Sequence, residues 1–308
     1  MITTVVVLLV LGMTSQAYSI TDSCRCVAFR LDDIQDYFLN NIQKQIIETV
    51  QTKDSNLTVG IIGNYFGNDT SIVNLLKENL VDTNNSLEIA NHGWNHEDFT
   101  AFDKHGQELL IKKTNEKIWN LLQVKPVGFI PPFNKINNDT MTVLRENNFR
   151  YVSANMTQDL LPYKTKNDSL YHFPSSSITG DLNSDNTAWY GKSHKETFAQ
   201  IQISLINHGF AIVTLHPQEY SKRQGLEFTN EVDSDQIHDL EMLIDVIKNN
   251  GLEIVTISEI PQYITFTQKA PSWINQIFEW YENKEISTDE VINAIKFLTE
   301  NKIIKFNS

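Results

Sequence analysis

Positive charge is scarce in this chain. Its 308 residues hold 25 Lys and Arg against 38 Asp and Glu, a formal net charge of −13. Nucleic-acid backbones and anionic membranes are held through Lys and Arg, so this balance argues against both as partners. A neutral, cationic or sugar-like ligand is compatible with it. Cysteine is nearly absent: Cys24 and Cys26, one residue apart, allow no disulfide framework. A bridge between such close neighbours is strained, which leaves free thiols or pairing between chains. A long apolar run is also missing. The N-terminal stretch MITTVVVLLVLGMTSQAYSI is apolar from Val5 to Leu11, with no Lys or Arg before it. That is shorter than the about 20 residues a membrane span needs. With Ala17 and Ser19 behind it, the run predicts a cleaved secretory signal over residues 1–19, an uncleaved anchor being the alternative. Six sequons, starting at Asn56, Asn68, Asn84, Asn138, Asn155 and Asn167, agree with a secreted or cell-surface glycoprotein.

What is present is regular alternation. Short β-rich runs stand at 26–31, 57–63, 87–91, 127–130, 150–154, 170–173, 210–215 and 252–257. Between them lie segments such as 37–51, 70–81, 106–122, 139–148 and 235–250, with apolar residues at spacings of three and four. Strand–helix repetition implies a mostly parallel sheet. Seven or eight strands over residues 20–268 predict an α/β fold, a (β/α) barrel, whose chemistry belongs at the C-terminal strand ends. From residue 269 to 308 the alternation stops and two short helices are expected, the second opened by the capping box Ser287-x-x-Glu290.

Three strand ends carry titratable groups. AFRLDDIQDYF ends a strand in Asp32 and Asp33, LEIANHGWNHEDF follows one with His92 and His96, and FAIVTLHPQEY ends one in His216. A spacing of four on a helical turn lets two imidazoles reach one ion. A carboxylate from a neighbouring strand completes a His-His-Asp triad with an open position for water. Hydrolysis at such a centre also needs a base and an acid, and Asp32 and His216 fit those needs. Taken singly, each feature is equally a turn, a helix cap or a packed side chain.

The combination resembles the NodB-type polysaccharide deacetylases, from about Cys26 to Ile264. The resemblance implies a distorted NodB-like barrel with Asp32 as catalytic base, Asp33, His92 and His96 as metal ligands, and His216, after Leu215, as general acid. It also places Pro131-Pro132-Phe133 at the family's Pro-Pro-aromatic motif, with the Phe133 N–H as oxyanion donor. The implied cofactor is a divalent metal, zinc by default, with cobalt, nickel or iron as alternatives. The implied substrate is an N-acetylated glycan, cleaved at a non-peptide carbon–nitrogen bond. Departures are plain: Ile130 stands where the family has the Arg that holds the base, and Phe133-Asn134 replaces Tyr-Gly. The family's Asp and Trp motif before the last histidine has no clear match, Asp181, Asp185 and Trp189 being candidates. Arg30 and Asp32, two apart on one strand, share a side, and we expect Arg30 to supply the missing cation. Pro132, Asn134, Trp94 and Trp189 are expected at the substrate, with Tyr190 and Tyr220 as further stacking candidates.

The segment from Pro271 to Lys305, with Trp273, Trp280 and Tyr281, resembles a small helical module of some exported archaeal proteins. Its aromatics either pack on the barrel or dock a cell-surface partner. Two other readings of the whole chain stay open. One is a catalytically silent barrel that binds carbohydrate or serves as a surface structure. The other is a non-haem iron oxygenase, which also uses two histidines and a carboxylate.

Overall fold

The structure, a computed structural model, describes residues 26–81, 86–159, 169–182, 189–263 and 272–300. The signal segment, Cys24, Asp185 and the sequon residues Asn84 and Asn167 lie outside these.

One curled parallel sheet organises the chain. Its strands are β1 (Cys26–Ile34), β2 (Leu57–Ile61), β3 (Leu87–Asn91), β4 (Gly128–Phe129), β5 (Tyr151–Val152), β6 (Tyr171–His172) and β7 (Ser177–Ile178). A hairpin, β8 (Gly180–Leu182) with β9 (Trp189–Gly191), follows and stays outside the sheet. Next comes β10 (Ala211–Leu215), then a second hairpin, β11 (Ser221–Gln224) with β12 (Glu227–Val232), and last β13 (Glu253–Val255). Spatial order is β6-β5-β4-β3-β2-β1-β10-β7, with β13 on the start of β1. This is the expected NodB-like distorted barrel. The runs predicted as strands all contain one, shorter in most cases, and β7 and the two hairpins were not legible in them.

The helices cover the outside. They are α1 (Asn40–Thr52), α2 (Thr70–Leu80), α3 (Lys104–Leu122), α4 (Asn138–Glu146), α5 (His194–His208), α6 (Ser234–Asn249), α7 (Ser272–Glu282) and α8 (Thr288–Glu300). Polar side chains start them: Asp69, Asp103 and Asp233 each accept backbone N–H groups, and Asn137 and Ser193 make capping boxes with Thr140 and Glu196. Gly209, at φ 79°, ends α5 in the left-handed conformation that a side chain would strain.

Alternation along β1 decides what faces inward. Val27, Phe29 and Leu31 join the layer between sheet and helices, with Ile42, Ile46, Ile47 and Val50 of α1. Cys26 and Ala28 point to the interior, where Tyr151, Phe173, Phe210, Ile212, Val255, Ile257 and Ile260 form an apolar plug. The period of two therefore carries Arg30 and Asp32 inward above that plug. Cys26 is disulfide-bonded, so the free thiol that the sequence allowed is not what stands there.

The C-terminal helices give a second apolar layer. Ile274, Ile277, Phe278, Ile286, Val291, Ile295 and Leu298 pack on Ala199, Ile203 and Ile206 of α5, with Trp280 and Tyr281 partly buried against them. Phe198, Ile201 and Leu205 bury the opposite face of α5 in the barrel layer. Ser287 and Glu290 exchange the bonds of the expected capping box.

Candidate metal and acid–base site

Asp32 and Asp33 are adjacent on one strand, and regular pleating would send them to opposite faces. A register shift between Leu31 and Ile34 and a φ of 66° at Asp33 prevent this. The left-handed region is tolerated by Asp better than by most residues. The bulge thus brings both carboxylates to the same end of the barrel.

The histidine loop is built by its neighbours. The Asn91 side chain accepts from Gly93 N–H at 2.9 Å and donates to Asn115 and the Ile111 carbonyl of α3. Gly93, at φ 77°, lies under Pro132: an added Cβ would sit 3.1 Å from its Cγ. The Glu97 carboxylate accepts from Trp94 N–H and Asn95 N–H, and His96 adopts φ 58°. His92 and His96 therefore converge through a tight loop, not through the helical turn that their spacing suggested.

Geometry at the triad fits a metal ion. His92 Nδ1 lies 2.7 Å from the Ile130 carbonyl, so Nδ1 carries the proton and Nε2 is left to bind. That orienting group is backbone, which is why an Ile at this position does not disturb it. Both Nε2 atoms, of His92 and His96, stand 3.3 Å from Asp33 Oδ1. The three ligand atoms lie within 4.8 Å of one another, and this is the metal-type cluster found among the described residues.

Charge at the triad is coupled. Burial raises the Asp33 carboxyl, but the His92 hydrogen bond and the His92, His216 and His96 charges outweigh it and hold the group low. Burial lowers His92, yet the Asp33 hydrogen bond and the Asp32 and Asp33 charges leave it above 6.5. Burial and the His92 charge push His96 down. His92 thus holds its proton more firmly than a free imidazole, and a metal at Nε2 must displace it. Calorimetric titration with zinc at pH 6.5, in buffers of different ionisation enthalpy, should show proton release and affinity that falls as pH is lowered. A binding enthalpy independent of buffer would contradict this.

Beside the triad stands a separate acid–base pair. The fully buried Arg30 forms a two-point pair with Asp32, Nε to Oδ1 at 2.9 Å and Nη2 to Oδ2 at 2.7 Å. Its Nη1 donates to the Ser153 carbonyl at 2.7 Å, Ser153 Oγ at 3.0 Å and the Ala154 carbonyl at 3.2 Å. The guanidinium is clamped at both ends. Since Arg30 pairs with Thr214 and Leu31 with Leu215, the parallel register sets Asp32 level with His216. Asp32 Oδ2 and His216 Nε2 are 3.9 Å apart. Burial lowers His216, but the Glu219 hydrogen bond and the Glu219, Asp32 and Asp33 charges overcome it and raise the imidazole to about 9.

The rim residues divide. Phe133, 59 % exposed, holds its ring 4.6 Å from that of His96, and Trp189 holds its ring 5.2 Å from that of His216. Pro131 and Pro132 have no N–H, so the first backbone donor after Ile130 is Phe133, set at φ 56°. Asn134 follows at φ 58°, and its buried Oδ1 has no hydrogen-bond partner among the described residues. Three expected substrate contacts are placed elsewhere. Pro132 is buried on Gly93. Trp94 packs toward Gly63 with the Lys113 ammonium 4.1 Å above its ring. Tyr220 is a core residue. Asp181 pairs with Lys192, not with His216.

Sequence reasoning missed one residue here. Glu219 Oε1 lies 3.2 Å from His216 Nδ1. Its signal was legible: Pro217 opens a 3-10 turn, in which residues three apart stack on one face.

Comparison with known proteins agrees with this geometry. Residues 19–152 match the sequence family described as polysaccharide deacetylase. That stretch includes Asp32, Asp33, His92, His96 and Phe133 and stops short of His216. A peptidoglycan deacetylase-like protein of Gibberella zeae is 38% identical over 64 residues, 21% of this chain and 19% of the relative. The match thus spans about a fifth of the length of that curated relative. Among solved structures, a polysaccharide deacetylase described as putative from Mycobacterium smegmatis superposes with a TM-score of 0.56 at 16% identity, covering 84% of this chain and 99% of that one. A CE4 family pseudoenzyme from Bacillus anthracis gives 0.51 at 14% identity, covering 80% and 69%. The chain resembles the NodB-type polysaccharide deacetylases in motif and in fold.

Proposed function

We propose that this chain is a divalent-metal-dependent deacetylase that hydrolyses the acetamide of an N-acetylated sugar polymer. One observation carries the reading: a metal-type triad stands beside a base and an acid that take no part in it. When bound, a divalent ion at Asp33, His92 and His96 supplies Lewis-acid polarisation and a water of lowered pKa. Zinc is the default for this donor set, with cobalt, nickel and iron as alternatives.

The chain's own groups supply the rest. Asp32, fixed by Arg30, takes the proton of the attacking water at Oδ2. Phe133 N–H donates to the carbonyl oxygen as charge gathers there. His216, protonated at neutral pH because its level is about 9, gives its proton to the departing amine. A divalent cation in the triad adds positive charge nearby and brings His216 below that value. The Phe133 and Trp189 rings flank the site as apolar walls suited to a sugar face. The chain's acidity favours an uncharged sugar, and the peptidoglycan deacetylase-like relative favours an N-acetylated one.

In this proposal the protein is secreted or held at the cell surface, with a barrel domain over 20–268 and an appended module over 269–308. A second reading, the silent carbohydrate-binding barrel, is favoured by Ile130 and by the likeness to a pseudoenzyme. Against it stands Arg30, which pairs with the base from another position. An iron oxygenase leaves the Asp32–His216 pair without work.

The test is acetate release from a panel of N-acetylated glycans by metal-replete protein. Wild type should release acetate, with Asp32→Asn and His216→Ala down by about 10²–10⁴-fold. Glycan binding and metal retention without acetate release would establish the silent barrel instead.

A further inference from the structure

We propose that Glu219 is a positioning residue for this reaction, holding the His216 ring by Nδ1 so that Nε2 faces the reacting bond. The inference rests on the reading of His216 as the acid.

Three observations carry it. Acid and carboxylate come from one 3-10 turn, closed by Glu219 N–H on the His216 carbonyl at 3.1 Å. Glu219 Oε1 reaches Nδ1 at 3.2 Å, while Oε2 accepts from Thr179 Oγ, so both carboxylate oxygens are committed. The Glu219 side chain is wholly buried, and among the described residues its ion-pair partner is His216 alone. A buried carboxylate without a cation costs several kcal/mol, so this one belongs with a charged imidazole.

The surroundings make room for it. A Cβ on Gly180 would sit 2.3 Å from Glu219 Cγ. The same Cβ would sit 2.8 Å from the Tyr190 carbonyl, so Gly180 of β8 makes room for both the carboxylate and the neighbouring strand. Other groups bearing on His216 are Asp32 and Asp33 of β1 and His96 of the loop after β3, with the uncharged Trp189 ring from β9. Of the carboxylates, Glu219 alone touches Nδ1. Asp32 lies on the Nε2 side, 3.9 Å from that nitrogen.

Glu219→Gln keeps the shape and removes the charge. In the full chain, metal-replete, kcat should fall roughly 10–100-fold, by the scale of orienting partners. KM and metal content should hold. The basic limb of the kcat/KM profile should move down by about 1 unit or more, as loss of an adjacent charge requires. Unchanged kcat and an unchanged limb in folded, metal-replete Glu219→Gln would overturn the proposal.

A measurement on the wild type needs no variant to fold and no activity. In the 15N-histidine-labelled, zinc-loaded full chain, His216 Nδ1 should carry a proton at neutral pH and be strongly hydrogen-bonded. An unprotonated Nδ1, or one bonded only to water, would overturn the role of Glu219. Absence of acetate release from wild type would instead fall on the deacetylase reading, leaving this result standing.

Discussion

Arg30→Met is expected to lower kcat by roughly 10²–10³-fold while leaving the bound metal in place. General-base catalysis contributes about 10²–10⁴-fold, and most of it depends on the base being held in one geometry. Here the holding is done by two parallel hydrogen bonds from a guanidinium that is itself fixed by Ser153 and Ala154. Both side chains of the pair are almost wholly buried. Removing the cation therefore also strands a buried carboxylate, at about 3–5 kcal/mol of stability. None of the triad atoms bonds to Arg30, so metal analysis should read as in wild type. Ile130 offers a direct check, because it occupies the place from which the resembling family supplies its arginine. It is fully buried beside His92 and Gly60. Arg30→Met combined with Ile130→Arg should regain at least about tenfold of the lost kcat, as restored orientation of a general base allows. Near-normal turnover in Arg30→Met alone would remove Arg30 from the account.

The second large effect separates two adjacent residues. Asp33→Asn should lower metal affinity by about 10²-fold or more and abolish metal-dependent turnover, since one carboxylate oxygen stands 3.3 Å from both imidazole nitrogens. Asn accepts the left-handed backbone at this position, which Ala would enter only at about 1–2 kcal/mol. The fold is thus left intact. Asp32→Asn should do the reverse, keeping the metal and losing turnover. Elemental analysis of the two purified variants decides the matter. Equal metal content in both would show that Asp33 is not a ligand.

Much of this was legible in the sequence, and the reasons differ from element to element. Strand–helix alternation gave the barrel because each period buries one apolar face. Strand-end placement found Asp32, Asp33, His92, His96 and His216 because parallel strands deliver their last residues to one rim. The side shared by Arg30 and Asp32 followed from the period of two. The site's backbone irregularities were not legible. Nothing in RLDDI announces the bulge that turns Asp33 toward Asp32, and HGWNH reads as a helical turn until Gly93 and His96 take positive φ. Trp94 and Pro132 looked like rim residues because their neighbours are, yet the loop directs them to α3 and to Gly93. Glu219 was overlooked because it stands past the strand end, where the barrel rule stops looking. The hairpins escaped because their strands are short and polar.

The proposed reaction is hydrolysis at a metal site formed by Asp33, His92 and His96. Its most direct measurement is acetate release from an N-acetylated oligosaccharide by the full chain, followed before chelation, after removal of metal, and after zinc is returned. We expect release to cease with the metal and to recover with it. Acetate release that continues at the same rate in metal-free protein would contradict the account.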